Sequence, residues 1–201
     1  MKKEFEVIRK ILPIEICNYL CDYSLIKASA LKKLRENNLI SPYDIRFGIF
    51  GDDQVPNPET FCIYGDSAFD ILLIKFQSII EEKIKKQLIP TYSYMRIYQK
   101  GDTLKKHIDR NECEFSITLN LGGAKWPIYL NNKKVILKQG DLLIYKGCET
   151  EHWREPLKEK NCFQVFLHYN NLYQKDTSTL YDKRDALGIS TKDGVTWKPF
   201  T

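Results

Sequence analysis

The hydrophobic period of this chain changes once, near Thr91, and that change most narrows the folds open to it. Downstream, apolar and polar residues alternate in short runs that read as strands: Tyr92–Gln99, Thr103–Ile108, Phe115–Leu121, Ile128–Leu130, Lys134–Leu137, Leu142–Tyr145, Glu151–Arg154 and Phe163–Tyr169. Alternation puts successive side chains on opposite faces of a sheet. Asn131-Asn132 marks a tight hairpin turn, because Asn tolerates positive φ. Short strands with turn signals between them predict a double-stranded β-helix, a jelly-roll of two facing sheets with cupin-like form.

Upstream of Thr91 the spacing is helical. Pro13 suits the first turn of a helix that carries an apolar stripe of Ile14, Cys17, Leu20 and Cys21 and ends at Glu36-Asn37-Asn38. A second helix is predicted over Ala68–Gln87, where Phe69, Leu72, Leu73, Phe76, Ile79, Ile80 and Ile84 make one buried face. Between them, Ser41–Gly65 is rich in Pro, Gly and Asp and reads as a loop or short hairpin able to cover a pocket. The expected class is mainly β with supporting N-terminal helices (α+β), in a single domain over 1–201. In it, 1–90 gives helical support and a loop, 91–170 the barrel, and 171–201 a polar C-terminal extension whose Trp197 and Phe200 could dock on the domain.

Composition removes several function classes. Hydrophobic residues make up 43% of the chain, which argues against disorder. No apolar run approaches the ~18 to 20 residues that span a bilayer, and acids rather than an apolar core follow the first lysines. Cys17, Cys21, Cys62, Cys113, Cys148 and Cys162 make no Cys-x-x-Cys pair and read as reduced thiols of a cytoplasmic protein. The net charge of +5 comes in short clusters such as Lys32-Lys33 and Lys133-Lys134, which read as solvated surface rather than a nucleic-acid footprint.

Three histidines remain, and two fall where a non-heme iron site needs them. Two imidazoles and a carboxylate on one face of Fe(II) leave the opposite positions open. In extended chain, His107 and Asp109 of His107-Ile108-Asp109 point the same way, and the fold must deliver a third ligand. His152 is the candidate. His-x-Asp alone is as consistent with a solvated strand face. His168, in the apolar run Val165–Tyr169, reads as a hydrogen-bonded strand histidine rather than a ligand; Trp126 and Trp153 read as packing, and Glu149, Glu151 and Glu155 as exposed.

Tyr98-Gln99-Lys100-Gly101, then His107-Ile108-Asp109, then Gly140-Asp141 before a buried strand, then His152, follow one another in an order that resembles the 2-oxoglutarate- and Fe(II)-dependent dioxygenases of the prolyl 4-hydroxylase-like branch over roughly residues 90–170. The resemblance implies His107, Asp109 and His152 as iron ligands and Tyr98 as a cosubstrate-binding tyrosine. Asn120 stands where relatives often carry another tyrosine, a departure. The family holds the distal carboxylate of 2-oxoglutarate with a basic residue; here Arg154, which shares a strand face with His152, competes with Lys160, which is followed by Gln164 and Phe166, while Cys162 stands nearest the usual spacing. The implied activity couples oxidative decarboxylation of 2-oxoglutarate to succinate with hydroxylation by O₂ of a peptidyl, including prolyl, or small-molecule substrate. The arginine pair of the nucleic-acid demethylase branch is missing between Cys162 and Asn170. A cupin-like metal protein that does not use 2-oxoglutarate, or a non-catalytic interaction module, stays open as an alternative, and the sequence carries no signal of oligomeric state.

Overall fold

The structure, a computed structural model, describes residues 4–173 and 177–190. The expected docking residues Trp197 and Phe200 lie outside the described residues. Two antiparallel sheets face each other. The larger has seven strands in the order β1 (Phe5–Ile8), β9 (Leu142–Tyr145), β6 (Phe115–Gly123), β11 (Asn161–Asn171), β4 (Leu88–Gln99), β3 (Phe61–Tyr64) and β2 (Ile49–Phe50). The smaller runs β5 (Leu104–His107), β10 (His152–Arg154), β7 (Ile128–Leu130) and β8 (Lys133–Val135). Two helices, α1 (Ile14–Glu36) and α2 (Ser67–Ile84), lie against the outer face of the large sheet. This is the double-stranded β-helix with supporting helices.

Strand parity divides the large sheet. On β4, Met95 and Ile97 point outward and join Phe69, Leu73, Phe76 and Ile80 of α2 and Leu20 and Leu31 of α1 in the main core. Ile117 and Leu119 of β6, Ile144 of β9 and Val165 and Leu167 of β11 complete that layer. Each such side chain contributes about 1.5–3 kcal/mol by leaving water. The intervening residues of the same strands face the space between the sheets.

Local chemistry sets the helix ends. The Asp66 carboxylate caps α2 by accepting from Ala68 N at 3.0 Å, and Lys85 closes it in the left-handed region at φ 57°. Pro13 is the residue before α1 rather than part of its first turn, and Ile14, expected in the buried stripe, is more than half exposed.

The N-terminal third supplies more than helices. Phe5–Ile8 pairs with β9, and the segment expected as a loop or short hairpin over 41–65 holds the antiparallel pair β2 and β3, with β3 also paired to β4 from Phe61↔Ile97 to Tyr64↔Tyr94. At the other end, Arg184 is buried in an ion pair with Asp70 of α2 (Nη1–Oδ2 2.7 Å), and Ser93 Oγ and Gly188 N also donate to that carboxylate. A buried pair is tolerated when every lone pair is used in this way, and here it ties 184–188 to the helix layer. Among the described residues, no helix is long and apolar enough to cross a membrane.

Candidate metal centre and cavity

His107 ends β5, and Asp109 lies two residues beyond it, fixed by its N–H donating to Gly147 O at 2.9 Å. His152 opens β10 directly opposite, as the cross-strand neighbour of His107. The next pairing is Arg154↔Leu104, so β5 spends one residue more than β10. That bulge lets Leu104 and His107 both face the cavity although their numbers differ by three.

The three side chains converge. Asp109 Oδ1 is 3.6 Å from His107 Nε2 and 3.5 Å from His152 Nε2, and the ligand atoms all lie within 4.8 Å of one another. Each imidazole has its Nδ1 against a backbone carbonyl two residues back, Lys105 O at 2.8 Å and Thr150 O at 2.9 Å. A carbonyl only accepts, so Nδ1 carries the proton in both rings, and each Nε2 presents its lone pair toward Asp109. The other carboxylate oxygen, Oδ2, accepts from Ser116 Oγ at 2.5 Å, and Ser116 Oγ lies 3.1 Å from Nδ1 of His168. Gly147 leaves room for this arrangement: a Cβ there would collide with Ser116 Oγ and Asp109 Oδ2.

The electrostatics match. Burial pushes the Asp109 carboxyl up, but the adjoining rings of His107 and His152, which donate to it when they are protonated, outweigh burial and hold the group well below the usual carboxylate range. Burial pushes His168 down to about 4, so it is neutral near pH 7 and serves as a hydrogen-bonding strand histidine. Two imidazoles and a carboxylate on one side of a point, with open space on the other, suit a divalent transition metal that keeps exchangeable positions.

The triad lines a cavity of about 540 Å³ with Tyr64, Tyr92, Tyr94, Arg96, Tyr98, Arg110, Tyr145 and Phe166. Tyr98, the expected cosubstrate-binding tyrosine, is one of the residues that line this cavity. Arg154 is buried beyond the cavity wall, its guanidinium over Trp126, with Nη1 donating to Trp126 O at 2.6 Å and Nη2 3.4 Å from Gln164 Oε1. Its Nε is buried without a hydrogen-bond partner among the described residues. Asn120 and Gln164 are buried and bonded to each other, Gln164 Nε2 donating to Asn120 Oδ1 at 3.0 Å, and neither lines the cavity. Lys160 is exposed just before β11 and is not brought to the site.

Arg96 is the residue that sequence reasoning missed. It is 2% exposed, lines the cavity, and donates from Nη1 to the Tyr98 hydroxyl at 2.9 Å. The parity that turns Tyr98 inward on β4 turns Arg96 inward too, and that was the available signal. Trp126 packs edge-on to Tyr98, while Trp153 stacks on Tyr129 with Lys106 over it; Glu149, Glu151 and Glu155 are exposed.

No family model matches the chain, and no curated protein matches it in sequence. Solved structures do. The viral collagen prolyl hydroxylase of Paramecium bursaria Chlorella virus-1, in complex with 2-oxoglutarate, is 13% identical with a TM-score of 0.58, covering 85% of this chain and 97% of its own. A prolyl hydroxylase of Trichoplax adhaerens bound to a peptide fragment of the hypoxia inducible factor oxygen degradation domain is 16% identical with a TM-score of 0.57, covering 84% of each chain. HygX of Streptomyces hygroscopicus, with nickel and 2-oxoglutarate bound, is 12% identical with a TM-score of 0.55, covering 85% of this chain and 84% of its own. At these identities the likeness is one of fold.

Proposed function

We propose that this chain is an Fe(II)- and 2-oxoglutarate-dependent hydroxylase, acting with O₂ on a C–H bond of a peptidyl, including prolyl, or small-molecule substrate. The observation that carries the reading is the convergence of His107, Asp109 and His152 on one side of an aromatic-walled cavity, each ligand atom already aimed. The donor set suits Fe(II), and the neighbours in fold include proteins with 2-oxoglutarate, a metal or a peptide bound. When bound, iron and 2-oxoglutarate supply the oxidising chemistry, with succinate and CO₂ as coproducts.

The chain's part is to hold, orient and exclude. The Nδ1–H bonds to Lys105 O and Thr150 O fix the imidazole tautomers, and Ser116 fixes the carboxylate. A dicarboxylate cosubstrate needs a cation at its far end. Arg154 is the candidate although it does not line the cavity: its buried Nε has no partner among the described residues, and a carboxylate reaching past Tyr98 and Trp126 would satisfy it. Tyr98 contributes a hydroxyl from the wall, with Asn120 and Gln164 bracing Arg154 from behind. Lys160, exposed and remote from the wall, is left out of this anchor. Tyr64, Tyr92, Tyr94 and Phe166 line the remaining wall and limit water at the reacting centre. Six cysteines with no disulfide among the described residues support a reducing, cytoplasmic setting.

Anaerobic titration of the protein with Fe(II) and 2-oxoglutarate tests the reading through the visible metal-to-ligand charge-transfer band of the chelate, followed by a succinate assay in air. The band is expected in the wild type and absent in His107→Ala and His152→Ala. Iron uptake without a band would instead point to a cupin-like metal protein.

A further inference from the structure

Among the residues that line the cavity, Arg96 carries a guanidinium that the reading above leaves unused. Arg96 Nη2 is ion-paired with the carboxylate of Asp52, which comes from the turn between β2 and β3. The same Asp52 oxygen accepts from the Tyr94 hydroxyl at 2.7 Å. Its other oxygen accepts from Gln54 N at 3.1 Å and Val55 N at 2.7 Å. One side chain thus shapes a turn and plugs that turn into the barrel.

The plug has a consequence at the metal centre. It brings Gln54 Nε2 to 3.4 Å from His107 Nε2 and Gln54 Oε1 to 3.4 Å from Arg96 Nη2. With the His107 proton on Nδ1, the Gln54 amide donates toward the lone pair that a metal would take. The turn carries no rung of the sheet, since the β2–β3 pairs are Ile49↔Cys62 and Phe50↔Phe61. Gly51 precedes it at φ 70°, Asp53 and Gln54 are exposed, and Val55 behind them is packed with Tyr98 and Trp126. A guanidinium beside a tyrosine hydroxyl is a donor set for any carboxylate, internal or external. Arg96 left alone inside the barrel would be costly, so one carboxylate must replace another.

We propose that Arg96 and the Tyr94 hydroxyl form an exchangeable carboxylate seat, filled here by the chain's own Asp52 and taken over by the carboxylate of an incoming small acid, which frees residues 52–54 from His107 while Val55 stays packed. The seat itself follows from geometry; the identity of the acid rests on the hydroxylase reading, as either the cosubstrate or a carboxylate of the substrate.

Glutarate, a dicarboxylate without the 2-oxo group, is the probe, titrated calorimetrically into the full metal-free chain. Asp52→Asn keeps an acceptor for the turn and removes the competing charge, so it should bind glutarate about tenfold or more tighter than wild type, as expected when the binding-competent state is a minor one. The gain should vanish on adding Arg96→Gln and survive adding Arg154→Gln. Equal or weaker binding by Asp52→Asn, or a gain that depends on Arg154 instead, overturns the seat. Wild type gives an independent measure should a variant fail to fold. Glutamyl endopeptidase, under conditions in which it cuts after aspartate, should cleave at Asp52 or Asp53 severalfold faster with glutarate; unchanged or slower cutting overturns the exchange. In protein loaded anaerobically with Mn(II), faster cutting with 2-oxoglutarate alone assigns the seat to the cosubstrate. Faster cutting only after propionate is added assigns it to the substrate, and no change with either overturns it. Loss of the chelate band in the earlier titration would sink the hydroxylase reading without moving these results.

Discussion

The outer and inner faces of the seven-stranded sheet are built by the same strands and buried to similar degrees, yet they obey different rules. Outward, Met95, Ile97, Ile117, Leu119, Val165 and Leu167 are apolar and need only shape complementarity to the helices. Inward, Arg96, Ser116, Asn120, Gln164 and His168 are as enclosed and must each find hydrogen-bond partners, because an unpaired polar group in that space is expensive. The outer face holds the fold, and the inner one holds the chemistry. Burial alone does not separate them; polarity at buried positions of one parity does.

That contrast can be broken from the outside first. Phe69→Ala empties a fully buried ring site under the sheet and should cost about 3–5 kcal/mol in denaturant unfolding, while iron stoichiometry per folded molecule stays unchanged. A fall in stoichiometry that tracks the lost stability would show the two faces to be coupled. From the inside, Asp109→Ala should lower Fe(II) affinity by at least about a hundredfold, beyond the 10–100-fold typical of residues that only support ligands, and should leave metal-free stability within about 1 kcal/mol. Anaerobic titration beside a denaturant melt reads both quantities.

The next effect concerns pH. His168 is held neutral with a pKa of about 4, below its ordinary 6.5. Protons therefore prefer the unfolded chain, and the stability present above pH 6.5 is lost as pH falls toward 4. By pH 5 the loss from this group should reach about 2 kcal/mol. Replacement by Asn should flatten the metal-free stability profile by that amount between pH 6.5 and 5, and parallel profiles would dismiss the assignment. Smallest is Ser116→Ala, which removes the hydroxyl on Asp109 Oδ2 and should weaken metal binding about tenfold with little change in melting. An unchanged affinity would show that Gly147 and the backbone position the carboxylate unaided.

Much of this was legible in the sequence where period two runs for several residues. The strands from β4 onward and the buried stripe of α2 stand within a residue or a few of where alternation and spacing put them, and the three ligands that the resemblance implied are brought together. Phe5-Glu6-Val7-Ile8 escaped because its strand state depends on pairing with β9, which no local window contains, and the hairpin read over 41–65 gave no sign that Phe61-Cys62-Ile63-Tyr64 would extend the large sheet beside β4. Lys160 misled by proximity: β11 begins one residue later and leaves the side chain outside. Arg96 escaped for the opposite reason, since a charged residue among tyrosines looks like surface until its partner, Asp52, is known to come from a distant turn.

His107 and His152 are cross-strand neighbours in a sheet held by few residues. A slip of one residue in β10 would turn His152 away and present Trp153 to the cavity instead. Only chains that have mated β5 and β10 in the native alignment offer both imidazoles to one ion. A tightly held cation therefore audits the closure of the barrel, and the fraction of molecules that take up metal counts those that have closed correctly.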